Sequence, residues 1–144
     1  MPSNIPFTFP YEFIPGQKGV VPRPVIPFQI GLTEATATHG FYALIDSGAD
    51  MCLFSPAVAD AIGIPDITTG SKDSVSGVVA GSKADYYVHQ VVIKVGGWPY
   101  KISVGFMPSL AQLGYGIFGQ KGFFDNFVVK MNLKKCEIEL KRYS

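Results

Sequence analysis

Proline and glycine punctuate this chain so closely that few of its apolar segments are long enough for an ordinary helix. Eleven prolines and sixteen glycines are spread over 144 residues. Proline fixes φ and lacks a backbone donor, and glycine marks turns. The segments between them have the short, β-branched and aromatic composition of strands. They are 24–32, 40–46, 75–79, 85–95, 99–106, 115–119, 126–132 and 136–140. In the longest, Val88, Gln90, Val92 and Lys94 share one face, and Tyr87, His89, Val91, Ile93 and Val95 share the other, the period of two that a strand imposes. Gly96-Gly97-Trp98 predicts a tight hairpin turn into the next strand. Two segments carry helical signals. Residues 55–63 have Ser55 at the N-cap, Pro56 at the first helical position and Gly63 as a stop. Residues 120–127 suffice for one or two turns. The expectation is a mostly β chain with one or two short helices.

Length suits a single domain. Apolar residues make up 47% and charged residues 16%, with mean hydropathy +0.23. That balance opposes disorder and leaves apolar surface available for self-association. The net charge is +1 and no run of like charge is longer than Lys134-Lys135, so the basic field that nucleic acid demands is missing. No apolar run reaches the roughly 18 residues of a membrane span. The first residues lack the basic region and continuous apolar stretch of a secretory signal, so the expected location is cytoplasmic. Cys52 and Cys136 read as reduced cysteines, and His39 and His89 are isolated. Neither a metal site nor a cofactor is expected. Residues 1–23, with five prolines between Pro2 and Pro22, read as an extended, irregular N-terminal arm ahead of a domain at 24–144. Phe7, Phe9, Tyr11 and Phe13 alternate along that arm, as in a chain laid on a surface.

The chemistry concentrates at residues 41–54, FYALIDSGADMCLF. An apolar run meets Asp46 with no polar buffer, then turns through Ser47-Gly48-Ala49 to a second acid, Asp50. Asp, Ser and Gly are favoured turn residues, so a plain turn is one reading. A carboxylate at the edge of a core must also be hydrogen-bonded or shifted in its ionisation, so a catalytic acid is another. Ser47 is placed to orient a neighbouring backbone group. Gly48 is placed to donate its N–H to the carboxylate and to admit a close approach.

Leu44 to Asp50 resembles the active-site loop of retropepsin-like aspartic proteases, the single-lobe family that includes the retroviral enzymes. Three further features follow in the family's order. They are the short helix PAVADAIGI, a glycine-flanked tip at Gly77-Val78-Val79-Ala80-Gly81, and Gly116-Ile117-Phe118-Gly119-Gln120, like the segment that crosses behind the loop and leads into a C-terminal helix. The resemblance spans about residues 24 to 142. It implies a single-lobe acid-protease fold and an aspartic endopeptidase acting on a peptide or protein substrate. Asp46 would be the catalytic acid, in an active-site loop with Ser47 and Gly48. Ala49, Asp50 and the flap residues Gly77, Val78 and Val79 would bind substrate. One position departs from the pattern. Viral members usually carry an arginine where this chain has Gln120, leaving Asp50 to pair with Lys121, to accept hydrogen bonds only, or to meet substrate N–H groups.

The chemistry needs two carboxylates, one to deprotonate a water and one, protonated, to hold the scissile carbonyl. The other Asp-Ser pair, Asp73-Ser74, is followed by Val75 and makes no second copy. The length provides one lobe, so the second Asp46 must come from a second chain in a symmetric homodimer. The expected cleft lining is Ile45, Val78, Val79, Phe106, Met107 and Leu110, and Ser71 to Asp73 read as solvated loop. The C-terminal strand, with Cys136, Ile138 and Leu140 on one face, is expected at the dimer interface, as the resemblance implies. Two other readings stand beside this one. One is a non-enzymatic module of the same fold for self-association or peptide binding. The other is a closed β-barrel that binds a small molecule and leaves Asp46 unexplained.

Overall fold

The computed structural model describes residues 5–76 and 83–143. Twelve strands and one α-helix follow in order: β1 (Phe7–Pro10), β2 (Glu12–Gly16), β3 (Gly19–Arg23), β4 (Val25–Gly31), β5 (His39–Ile45), β6 (Leu53–Phe54), α1 (Pro56–Ile62), β7 (Ser71–Ser76), β8 (Lys83–Val95), β9 (Trp98–Phe106), β10 (Gly116–Phe118), β11 (Phe127–Asn132) and β12 (Glu137–Arg142). The chain is mostly β, as its punctuation requires.

The main sheet runs β4-β5-β10-β6-β9-β8-β7, and β4 also bonds to β8. That extra pairing closes six strands into a barrel and leaves β7 outside the closure. The long strand β8 makes this possible. One edge follows β9 from Tyr87 to Val95. The other edge meets β7 over residues 83–88 and β4 over Val92 to Lys94. Its hairpin to β9 turns on Gly96 and Gly97, with φ of 60° and 86°. Two positive φ values match the twist of the flanking strands. Helix α1 begins at Pro56 as expected. Ser55 holds the N-cap position but its side chain makes no capping bond, and Gly63 closes the helix at φ 93°.

The core is aromatic. Phe118 lies 4.5 Å from Phe123 in a stacked pair and 4.9 Å from Phe28, which stacks on Phe54 at 5.2 Å. Phe54, Phe118 and Phe123 are wholly buried. Each such ring contributes about 2–3 kcal/mol of burial. A smaller cluster, Leu53, Tyr86 and Met107, is flanked by Met51, Val75, Val88, Leu110 and Ile117.

Three expectations are revised. Residues 7–23 are extended but not irregular: β2 and β3 form a hairpin, and β1 pairs antiparallel with β12. Phe7, Phe9 and Tyr11 turn inward, whereas Phe13 is 61% exposed. Ser71 to Asp73 belong to strand β7, not to a loop. Residues 120–127 form no helix. Gly122 takes φ 102°, Asp125 Oδ1 accepts from the Gly122 N–H and Asn126 Nδ2 donates to the Gly122 carbonyl. These side chains bind the backbone groups that a helix would need. Strand β12 is the middle strand of a three-stranded sheet, with β1 on one edge and β11 on the other. Ile138 and Leu140 are fully buried against the chain's own core. Both hydrogen-bonding edges of β12 are therefore used within the chain. No helix of the described residues is long and apolar enough to cross a membrane.

Candidate active site

Strand β5 delivers Asp46 to the end of the barrel. The Ile45 N–H donates to the Pro24 carbonyl at 2.8 Å, and the Asp46 N–H donates to the Phe118 carbonyl at 2.9 Å. The acid is thus fixed where β4, β5 and β10 meet. Asp46 Oδ1 accepts from the Gly48 N–H at 2.9 Å, and the Asp46 carbonyl accepts from the Ala49 N–H at 3.1 Å. This is the bond that the glycine was expected to make. It commits one carboxylate oxygen to the loop and turns the chain sharply. Asp46 is half-buried, whereas Ser47, Gly48 and Asp50 are exposed.

The segment after β10 locks the loop from behind. The Gln120 N–H donates to the Ala49 carbonyl at 2.8 Å, and the Lys121 N–H donates to the Asp50 carbonyl at 2.9 Å. Gln120 Nε2 also donates to the Ser47 carbonyl at 2.7 Å. Gly119 is required at this crossing, because a Cβ there would lie 2.3 Å from the Met51 carbonyl oxygen and 2.6 Å from that of Ala49. The departure at Gln120 has a clear outcome. Its amide braces the loop backbone, and the Asp50 side chain has no cation within 4.0 Å among the described residues, where the ion pair formed is Lys72–Asp85. Lys121 meets Asp50 through main-chain atoms only.

Asp46, Gly48, Ala49 and Asp50 open onto a cleft of about 560 Å³. Met51, Leu53 and Val75 supply its apolar wall, and Asp73, Ser74 and Tyr86 its far side. The lining differs from the expected one. Ile45, Phe106 and Met107 are buried in the cores beneath, because the strand ends that carry them point inward. The expected covering residues Gly77, Val78 and Val79 lie outside the described residues. Asp73 and Tyr86 face each other across β7 and β8. Burial pushes the Tyr86 phenol above its ordinary value of 10.0, and the nearby carboxylates of Asp73 and Asp50 push the same way. Neither residue was singled out in the sequence as part of the site. Asp73 sits on an exposed edge strand that reads like a loop, and Tyr86 is one of seven tyrosines.

Solved structures share the backbone arrangement that carries this loop. A retropepsin-like aspartic protease from Rickettsia conorii superposes with a TM-score of 0.63 over 97% of this chain and 94% of that one, at 15% identity. The fold is retropepsin-like. The retroviral protease-like domain of Ddi1 from Leishmania major gives 0.56 over 85% of this chain and 94% of its own, also at 15% identity. The EIAV protease complexed with the inhibitor HBY-793 gives 0.50 over 68% and 82%, at 22% identity. No family model and no curated protein matches the sequence. The retropepsin-like fold is therefore visible in the backbone at 15% identity.

Proposed function

We propose that this chain is an aspartic endopeptidase that acts as a homodimer, with one Asp46 from each protomer at a shared site. The observation that carries this reading is the setting of Asp46. It is a half-buried carboxylate fixed by backbone bonds on both sides, at the mouth of an open cleft, within a retropepsin-like fold. Each protomer supplies one such acid, and a two-fold axis beside the loop brings two together. Two adjacent carboxylates hold one proton between them. The ionised one takes a proton from a water, whose oxygen attacks the scissile carbonyl carbon. The protonated one hydrogen-bonds the carbonyl oxygen as negative charge develops on it. Collapse of the tetrahedral intermediate breaks the C–N bond, and the proton taken from water passes to the leaving amine. Ser47 and Gly48 shape the loop, and Ala49 and Asp50 line the path of the bound peptide.

Incubation with a mixed peptide library on the acid side of neutral, read by mass spectrometry, tests this. Internal cleavage by the wild-type chain and its loss in Asp46→Asn, with the fold retained, are expected. Equal cleavage by a pure Asp46→Asn preparation would remove Asp46 from the mechanism.

A further inference from the structure

The cleft beside Asp46 has a one-sided charge. Among the described residues its lining holds three carboxylates, Asp46, Asp50 and Asp73, and no Lys, Arg or His, in a chain whose net charge is only +1. The cation nearest in sequence to Asp73, Lys72, projects from the other face of β7 and pairs with Asp85 at 3.5 Å. The Asp50 side chain has no ion pair among the described residues. Asp46 is accounted for by the proposed chemistry. Asp50 and Asp73 remain as negative charges that nothing described in the cleft neutralises.

The same cleft offers an apolar approach to those charges. Met51, Leu53 and Val75 line it next to the acids. Tyr86 is 7% exposed, and its ring lies where a Cβ on Gly105 would come within 2.6 Å of it. The missing side chain at Gly105 lets the ring seat against β9, so Tyr86 forms a fixed wall opposite Asp73. Burial and the two carboxylates keep its phenol protonated, so it adds no fourth charge. A long side chain with an aliphatic stem and a cationic head matches this sequence of surfaces, and opposite charge in a partly enclosed cleft selects for it.

We infer that this cleft selects peptides carrying a lysine or arginine close to the bond cut, with Asp73 as the specificity-determining residue and Asp50 as its companion. The inference rests on the proteolytic reading for the word "cut". The selection itself is a property of the lining.

The test uses two peptides identical except for lysine or norleucine at one position near the cleavage site. Affinity is measured with Asp46→Asn protein, which separates recognition from chemistry, and kcat/KM is measured with wild type. We expect the lysine peptide to be favoured about fivefold at low salt, and the preference to erode between about 50 and about 500 mM salt. Adding Asp73→Asn should bring the ratio near one, and Asp73→Glu should restore most of it. Equal affinity for both peptides at low salt overturns the inference, as does a lysine preference that survives both high salt and Asp73→Asn. The salt series needs only the Asp46→Asn chain, so it decides the matter even where Asp73→Asn does not fold. Failure of the proteolytic reading looks different. Wild type then cuts neither peptide, while the affinity ratio still reports on the lining.

Discussion

The two sides of the Asp46 loop are built on opposite principles. Behind it lies a buried aromatic stack, with Phe118 in contact with Phe28 and Phe123, and with backbone bonds from Phe118, Gln120 and Lys121 to the loop. In front lies an open cleft with three carboxylates and a minor apolar cluster beneath it. The contrast shows how a small chain holds a charged group accurately. Packing density sets the position of the backbone from one side, and the other side is left free for a ligand. Changes behind the loop should therefore cost stability first and activity as a consequence. Changes in front should alter selection with little effect on stability.

Phe118→Ala should have the largest effect. The ring is wholly buried and touches several others, so truncation should cost about 3–5 kcal/mol, read by denaturant unfolding. A loss below about 1 kcal/mol would mean that the stack is not the floor described. Gly119→Ala follows. Its Cβ meets two backbone carbonyl oxygens that cannot rotate away, and strain of this kind costs about 1–3 kcal/mol. The loop must shift to relieve it, so peptide cleavage should fall more than the unfolding midpoint implies.

Cys52 probes the same floor by pH. It is fully buried, and burial pushes its thiol from 9.0 to about 12. The unfolded chain therefore loses this proton at lower pH than the folded chain. The stabilisation is complete below pH 9.0 and is lost as pH rises toward about 12, at about 1.4 kcal/mol for each pH unit in that window. Cys52→Ala should flatten the alkaline slope, and an unchanged slope would place the thiol outside the core. The smallest effect is expected at Gln120→Ala. It removes an exposed neutral hydrogen bond to the Ser47 carbonyl, worth about 0.5–1 kcal/mol. Its signature should be a several-fold lower kcat with KM nearly unchanged.

Sequence patterning made one side of this contrast more legible than the other. The strands of the barrel were readable because alternation and Pro/Gly breaks are local signals. The Asp46 loop was readable because three turn-forming residues follow an apolar strand without a buffer. Strand β6, only Leu53–Phe54, is too short for any periodicity. Strands β1 to β3 were hidden by their prolines, which sit in a two-stranded hairpin and in the outer strand of a three-stranded sheet, where a missing donor is tolerated. The pairing of β1 with β12 joins residues near the two ends of the chain, and no local pattern encodes it. That pairing uses one edge of the C-terminal strand, and β11 uses the other. Asp73 was hidden because an exposed edge strand, Ser71-Lys72-Asp73-Ser74, has the composition of a loop. Its importance depends on Tyr86 across the ladder and Asp50 across the cleft.

The central claim is that Asp46 acts in a pair contributed by two chains. Subunit mixing tests it most directly. Inactive Asp46→Asn protein is added in rising amounts to a fixed amount of wild type, the mixture is equilibrated to exchange subunits, and peptide cleavage is followed. Random pairing leaves about half of the wild-type protomers paired with each other at equal amounts, and about a tenth at ninefold excess. A mixed pair has a single Asp46 and no partner for it, so activity should fall along the same curve. Constant activity across the series, with sedimentation showing mixed dimers formed, would contradict the account.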